Sequence, residues 1–218
     1  MNKIYPAPWT LTGKGYILLY KFSKDFVEKK TKLPEFLKGH YAGGFGALML
    51  VDYSTSDAGP YSELLLIPGK FRHQGKKFNT ISNIYVSTME SVENGRRNWA
   101  IPKELADFSF RSTGPRTEKV SITSGDSTIA EFTLESGGIS FPVNTRLFPF
   151  PLAQHWEGSY YYTTFFGNGT GKLSKLKDVH INSSLFPDIS GFKPLIAMKV
   201  EPFQITFPVA TIKASGDN

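Results

Sequence analysis

A single lysine in an apolar setting is the residue of this sequence best placed to do chemistry. Lys103 directly follows Pro102 in a segment that also holds the apolar residues Ile101, Leu105 and Ala106, after a polar turn that holds Arg96 and Arg97. A lysine that attacks a carbonyl must be a free amine, which at pH 7 requires its pKa of about 10.4 to fall by roughly three units, or about 4 kcal/mol. Burial among apolar groups can lower a lysine pKa by this much. Lys103 is therefore predicted to be a catalytic nucleophile.

A lone carboxylate in an apolar segment offers a partner for that amine. Glu63 interrupts the segment YSELLLI, residues 61–67, whose composition is typical of a strand. A buried acid needs a partner, and a buried amine or imine would serve. Alternation along a strand places Tyr61, Glu63 and Leu65 on one face. Glu63 is thus a candidate partner of Lys103, with a structural ion pair to Arg96 or Arg97 as the alternative.

The elements that position these residues are mostly short strands separated by Gly, Pro and Asn turns. Lys103 begins a strand, because Pro102 ends any helix before it and biases Ile101 towards an extended conformation. The predicted strands are residues 15–22, 45–53, 61–67, 79–87, 103 continued over 106–111, 118–123, 127–134, 160–166, 172–181, 192–200 and 203–207, with a hairpin turn at 125–126.

Two helices are predicted, over residues 24–32 and 87–95. The second begins at the capping box Ser87-Thr88-Met89-Glu90 and either ends at Asn94-Gly95 or frays into the following turn. The predicted fold class is therefore mainly β (α+β): a single domain over residues 1–218 with a closed, barrel-like antiparallel sheet and a few short helices.

Composition excludes several classes of protein. The 218 residues include no cysteine, which excludes a disulfide scaffold and a thiolate metal site. The four histidines lack metal-ligand spacing and no nucleotide fingerprint is present, so we expect neither a metal nor another cofactor. Net charge is +6, but the lysines are scattered without a nucleic-acid motif, so we expect no nucleic-acid partner. No signal peptide or bilayer-length apolar run is visible, so we expect a cytoplasmic protein without a membrane partner.

Three motifs extend the interpretation: Tyr5-Pro6-Ala7-Pro8-Trp9, the Tyr61-x-Glu63 strand, and the segment Gly95-Arg96…Pro102-Lys103-x-x-Ala106. Together they resemble the acetoacetate decarboxylase family over most of the chain up to about residue 110, and the third is the most specific. The resemblance implies a cone-shaped β-barrel that assembles into a homo-oligomer, with a Schiff-base lysine at Lys103. The family is itself a known case of a lysine activated by desolvation or by a neighbouring cation.

The resemblance also implies roles for other residues. Glu63 would orient the substrate or move protons, and Tyr85 and Ile101 would line the pocket. Arg96 and Arg97 are candidates for substrate binding, and the alternative is that they hold the turn by donating to backbone carbonyls.

The sequence departs from the decarboxylase pattern in four places. Glu104 stands where the decarboxylase has a second lysine, and Arg97 stands where it has a glutamate, which suggests a charge pair of inverted polarity. No arginine precedes Arg72, although the decarboxylase holds its substrate with an N-terminal arginine. The strand before Tyr61 offers only Asp52 in place of a second active-site glutamate. These departures point away from acetoacetate and towards another carbonyl compound.

The function predicted from the sequence is that of a cofactor-independent lyase-type enzyme. Lys103 would form a Schiff base with a small β-keto acid or other carbonyl substrate, leading to decarboxylation or to aldol- or dehydration-type chemistry. The alternative is a non-catalytic small-molecule-binding barrel that retains the family pocket, and a purely structural oligomer is a third possibility. The two main hypotheses differ in the pKa of Lys103, which only an enzyme needs to be strongly depressed.

Overall fold

The computed structural model describes residues 3–147 and 149–216, so residues 1, 2, 148, 217 and 218 of the predicted domain lie outside the described part. This part holds two α-helices, α1 (Lys24–Lys30) and α2 (Met89–Trp99), and two 3-10 turns, Glu35–Leu37 and Thr145–Leu147. The strands are β1 (Trp9–Tyr20), β2 (Gly46–Thr55), β3 (Tyr61–Ile67), β4 (Lys70–His73), β5 (Lys76–Asn79), β6 (Asn83–Val86), β7 (Lys103–Leu105), β8 (Asp107–Ser112), β9 (Thr117–Ser124), β10 (Ser127–Asn144), β11 (Pro151–Trp156), β12 (Ser159–Thr164), β13 (Phe166–Ile181), β14 (Ile196–Phe207) and β15 (Thr211–Ala214).

Ten strands form one curled sheet in the order β7-β6-β3-β2-β1-β14-β13-β10-β9-β8. Its pairs are antiparallel except for β6 and β7, which run parallel. The predicted mainly β fold is confirmed, but the sheet is a half-barrel, since no ladder joins the edge strands β7 and β8 within the described residues. Instead the chain itself connects these edges through Ala106, whose amide donates to the Val86 carbonyl at 3.0 Å.

A second sheet has the order β15-β12-β11-β5-β4, with β11 parallel to β5. It covers one face of the ten-stranded sheet, so the molecule has two apolar clusters. Leu64, Leu48 and Phe132 belong to the cluster on the concave face, whereas Leu65 and Leu152 belong to the cluster beneath the second sheet. Successive residues of β3 thus enter different clusters, which is why β3 is apolar on both sides.

Helix α2 is longer than its sequence predicts. Its N-cap is Thr88, whose Oγ1 accepts from the Ser91 amide at 3.3 Å, and it continues past Asn94-Gly95 to Trp99. The Asn94 side chain accepts from the Tyr5 amide at 2.8 Å and donates to the Lys3 carbonyl at 3.2 Å. These tertiary contacts outweigh the weak helix propensity of Asn and Gly, so the prediction of an end at Asn94-Gly95 was wrong.

The hairpin at residues 125–126 is confirmed, since β9 and β10 pair directly on either side of it. The segment predicted as one strand over 160–166 is divided between β12 and β13, which belong to different sheets. No helix in the described part is long and apolar enough to cross a membrane.

Candidate active site

Lys103 is the first residue of edge strand β7 and lies beside Ile84 of the parallel strand β6. Its side chain is almost fully buried, with only 4% of its surface exposed. The amine Nζ lies 3.2 Å from Oε2 of Glu63 and donates to Ser91 Oγ at 3.0 Å and to the Tyr61 hydroxyl at 3.4 Å. The structure therefore brings together Lys103 and Glu63, the two residues predicted as catalytic.

The charge state of Lys103 is set by two opposing effects. Burial lowers the pKa of the Lys103 amine, because a charged ammonium is poorly solvated away from water. The carboxylate of Glu63 opposes this by stabilising the ammonium, but burial is the larger effect and the pKa falls below its ordinary value. An amine so placed loses its proton more readily than a surface lysine, which is what a nucleophile requires.

Two tyrosines complete the polar surroundings of Glu63. Tyr53, on the neighbouring strand β2, donates to Glu63 Oε1 at 3.3 Å, and the Lys103 amine lies 4.9 Å from the centre of the Tyr61 ring. Burial raises the pKa of both tyrosines well above 10.0, and the nearby Glu63 carboxylate raises it further. Both hydroxyls therefore stay protonated near neutral pH. The Tyr53 hydroxyl donates to Glu63, and the Tyr61 hydroxyl accepts from the Lys103 amine.

Helix α2 explains why glycine and arginine precede the lysine motif. A Cβ on Gly95 would lie 2.6 Å from Cδ and 2.8 Å from Cε of Lys103, so only glycine leaves room for the lysine stem. Arg96 Nη2 donates to the backbone carbonyl of Lys103 at 2.5 Å. The helix ends at Ala100 in the left-handed region, with φ of 55°, and the chain turns from there into β7. One residue thus admits the lysine side chain and the next anchors its backbone.

The N-terminal segment closes the site from the other side. Trp9 packs edge-on against Trp99 with ring centres 5.1 Å apart. The Tyr5 carbonyl accepts from Trp9 Nε1 at 3.0 Å and from Asn98 Nδ2 at 2.8 Å, which ties the segment to α2. This contact gives the Pro-Trp motif at the start of the chain its structural role.

A small cavity borders the Lys103 amine. Only about 10 Å³ of it is open to the centre of a water-sized sphere, roughly what one water molecule needs. Its other lining residues are Trp9, Leu11, Tyr61, Glu63, Ile81, Ile84, Trp99, Ile101 and Phe207. Ile101, a predicted substrate-binding residue, is thus one of those that line the cavity.

Three other predicted substrate-binding residues lie elsewhere. Tyr85 points to the opposite face of the sheet, where its hydroxyl donates to the Leu185 carbonyl at 3.1 Å. Because β6 pairs Glu63 with Val86, the side chain of Tyr85 cannot share the face of Glu63. Arg96 and Arg97 are exposed and do not line the cavity, and Arg96 donates to a backbone carbonyl instead. The structure therefore corrects the predicted position of Tyr85, and for Arg96 it agrees with the alternative prediction of a hydrogen bond to a backbone carbonyl.

The predicted ion pair between Arg97 and Glu104 is not formed, because Glu104 pairs with Lys32. Glu104 Oε1 lies 2.6 Å from the amine of Lys32, and both side chains are substantially exposed. Since Lys103 and Glu104 are successive strand residues, Glu104 points away from the Lys103 amine. Asp52 also lies on the face opposite Glu63, where it accepts from the Ser62 hydroxyl at 3.0 Å. Neither acid therefore lies beside the Lys103 amine.

Sequence reasoning missed Tyr53, Ser91 and Phe207. Ser91 and Gly95 are separated by four residues, so they share a helix face, and this spacing was a usable signal. Tyr53 and Phe207 come to the site only through the register of β2 and the position of β14, which no local pattern reports. Within residues 3–147 and 149–216, no group of three or more His, Asp or Glu side chains could hold a metal ion.

The chain matches one protein-family model and several curated proteins that share one name. Residues 2–146 match the family model described as acetoacetate decarboxylase (ADC). Among curated proteins, Protein NEOXANTHIN-DEFICIENT 1 of Arabidopsis thaliana is 26% identical over 116 residues, which are 51% of this chain and 40% of that protein. The protein of the same name from Solanum lycopersicum is 28% identical over 110 residues, 49% of this chain and 36% of that one. The chain thus spans less than half the length of these curated relatives.

Two solved structures share the fold. Acetoacetate decarboxylase from Legionella pneumophila superposes with a TM-score of 0.74 at 14% identity, over 98% of this chain and 90% of that one. The enduracididine biosynthesis enzyme MppR with bound HEPES buffer gives 0.68 at 14% identity, over 97% and 90%. At this identity the likeness concerns the fold alone.

Proposed function

The chain belongs to the acetoacetate decarboxylase family, and we propose that it is a cofactor-independent lyase-type enzyme whose Lys103 forms a Schiff base with a carbonyl substrate. The observation that carries this proposal is the buried Lys103 amine, whose pKa is lowered and which lies 3.2 Å from the Glu63 carboxylate in a largely apolar cavity. The substrate class comprises small β-keto acids and other ketones or aldehydes.

The reaction begins when the Lys103 ammonium gives a proton to Glu63. The free amine attacks the carbonyl carbon, and the resulting carbinolamine loses its oxygen as water when Glu63 returns a proton to the hydroxyl group. The iminium accepts the electron pair released when a neighbouring carbon–carbon bond breaks, or when Glu63 removes a proton from the adjacent carbon. The enamine formed in this way takes a proton at carbon, from water or from protonated Glu63, which gives the product iminium. Addition of water to that iminium frees the product and restores the amine.

The cost of burying the Lys103–Glu63 pair supports a functional role. A buried ion pair commonly contributes little or nothing to stability compared with well-packed apolar residues of the same size. As whole residues, Glu63 and Lys103 are only 4% and 3% exposed, and the residues around them are mostly aliphatic and aromatic. Two ionisable residues buried side by side in an apolar cavity are expected where a catalytic reaction uses them.

A non-catalytic binding protein is the second candidate, and one observation favours it. The Glu63 carboxylate lies 3.2 Å from the Lys103 amine and stabilises its charged, unreactive form. In a binding protein Lys103 would remain a charged partner of Glu63 and would not react. The two candidates therefore differ in whether Lys103 forms a covalent imine.

Borohydride trapping separates these candidates. The protein is incubated with a panel of β-keto acids, ketones and aldehydes, reduced, and examined by intact mass and peptide mapping. We expect one stable adduct on Lys103, absent in Lys103→Arg and retained in Lys32→Arg, which alters an exposed lysine in the same way. Failure of the whole panel to modify Lys103, while carbonyl compounds still bind, would establish the binding protein instead.

We further propose that residues 1–218 act as one domain and that the protein assembles into a homo-oligomer. Large apolar side chains on its surface support the assembly, including Ile139, Leu147 and Leu173, which are 90%, 74% and 61% exposed. Light scattering on the purified protein tests this proposal, because a monomeric mass would exclude it.

A further inference from the structure

We infer that the substrate of Lys103 is an uncharged ketone or aldehyde with an apolar tail, and that this tail lies in a groove beside the cavity. This inference rests on the proposed imine chemistry and narrows its substrate class. The groove, here called the tail groove, crosses β2, β1 and β14, and the end of β10 flanks it. It is lined chiefly by Ile17, Met49, Val51, Val143, Phe203 and Ile205.

The tail groove and the Lys103 site lie on the same face of the ten-stranded sheet. Val51 of the groove stands directly opposite Glu63 in the pairing of β2 with β3, and Tyr53 stands opposite Tyr61. Directly opposed residues of paired strands share a face of the sheet. The groove therefore begins one strand away from the Glu63 carboxylate and continues away from it across β1 to β14.

Tyr53 belongs to both regions. It lines the groove, while its hydroxyl donates to Glu63 at 3.3 Å. Its ring centre lies 4.7 Å from that of Tyr61 and 5.8 Å from that of Phe203. Tyr53, which lines the groove, thus packs against Tyr61, which lines the cavity, so the inference requires Tyr53 to move when a ligand occupies both.

The size of the groove suits a tail better than the cavity does. By the measure that gives the cavity about 10 Å³, the groove offers about 70 Å³. Three adjacent strands span about 10 Å, since strands in a sheet lie about 4.8 Å apart. A chain of several methylene groups fits this distance, and the burial of each one strengthens binding.

The charges of the site argue against a substrate carboxylate. Among the residues that line the cavity only Lys103 and Glu63 are charged, and they already neutralise each other. A carboxylate beside Lys103 would approach Glu63 without meeting a second cation. The residues lining the groove include no charged side chain. An uncharged carbonyl with an apolar tail fits both parts of the site.

Matched carbonyl probes test the inference. Borohydride trapping is titrated with acetone, acetoacetate, methyl nonyl ketone and the analogue of methyl nonyl ketone that carries a carboxylate at the end of its tail. We expect methyl nonyl ketone to modify Lys103 at concentrations at least tenfold below those needed for acetone. We expect acetoacetate to react no better than acetone, and the terminal carboxylate to remove the advantage of the long tail.

Two tryptophan variants of β10 locate the tail. Val143→Trp fills the groove and is expected to abolish the preference for methyl nonyl ketone while acetone still reacts. Ser127→Trp is the matched control, since Ser127 is exposed, begins the same strand and does not line the groove. Equal reactivity of the short and long ketones, a preference for acetoacetate, or a preference that survives Val143→Trp would overturn the inference.

Two further outcomes are kept distinct. If no probe forms an adduct, the imine proposal fails, and the groove is then tested by binding of methyl nonyl ketone to the Lys103→Arg protein. Binding that Val143→Trp removes would support the groove, and absence of binding would overturn it. If Val143→Trp changes the mass measured by light scattering and weakens acetone and the long ketone alike, the groove is an interface between copies of the chain, and the inference is wrong.

Discussion

Replacing Gly95 by alanine is expected to destabilise the protein while residue 103 is lysine. The same replacement is expected to stabilise the protein when residue 103 has a short side chain. In a helix interior, alanine is favoured over glycine by about 0.5–1 kcal/mol. The added Cβ, however, would lie 2.6 Å from Cδ of Lys103, which is buried and held by Glu63. Overpacking of this kind costs about 1–3 kcal/mol. In the native background, Gly95→Ala should therefore lower the free energy of unfolding by up to about 2 kcal/mol.

The clash disappears when Lys103 is shortened, so the helix preference alone should remain. In a background carrying Lys103→Ala and Glu63→Gln, Gly95→Ala is expected to raise the free energy of unfolding by about 0.5–1 kcal/mol. Glu63→Gln is included so that no unpaired carboxylate is left buried. The difference between the two backgrounds is a coupling energy of about 1–3 kcal/mol.

Urea unfolding of the four proteins measures this coupling, provided that the dependence on urea concentration stays constant among them. Gly114→Ala serves as the control, because its Cβ would meet only Thr117, at 3.9 Å, and its effect should be equal in both backgrounds. An effect of Gly95→Ala that is equal in both backgrounds would refute the assigned role of Gly95.

Three more predictions concern the same site. Lys103→Met leaves the Glu63 carboxylate buried without its cation and should lower the free energy of unfolding by about 3–5 kcal/mol. Adding Glu63→Leu should restore most of this loss, as measured by urea unfolding. An equal loss in the single and the double variant would contradict the prediction. Arg96→Ala should slow borohydride trapping at Lys103 and lower the free energy of unfolding by about 1–2 kcal/mol. Arg97→Ala should change stability by less than about 0.5 kcal/mol, and equal effects of the two arginines would count against the Arg96 anchor. Because the pKa of Tyr61 is raised well above 10.0, the unfolded chain loses a proton that the folded one keeps, so stability should fall as the pH rises past 10.0. Tyr61→Phe should reduce that fall in unfolding measured against pH, and an unchanged slope would exclude the effect.

Residue type and local alternation were enough to find the centre of the candidate site. The predicted strand 61–67 has the bounds of β3, and alternation placed Tyr61 and Glu63 together, as they are in the structure. Lys103 begins a strand as predicted, because Pro102 limits the conformations available before it.

What could not be predicted depends on register between distant segments. The face of Tyr85 follows from the pairing of Glu63 with Val86, and alternation within one strand says nothing about its neighbour. The arrival of Tyr53 at Glu63 depends in the same way on the pairing of β2 with β3. Strand β10 runs to Asn144, well beyond the predicted end at residue 134, because pairing with β13 holds a segment that contains Gly137, Gly138 and Pro142. Partners far along the chain decided all three.

The position of β1 between β2 and β14 has a consequence for biosynthesis. A chain synthesised as far as residue 195 can pair β1 with β2, but the other edge of β1 stays unpaired until β14 has been synthesised. Strand β14 also brings Phe207 to the Lys103 cavity. Pairings between segments so far apart in sequence form slowly, and an unpaired apolar edge invites aggregation in the meantime. Nascent chains are therefore expected to need protection by chaperones until β14 has emerged from the ribosome, and Lys103 acquires its closed surroundings only then.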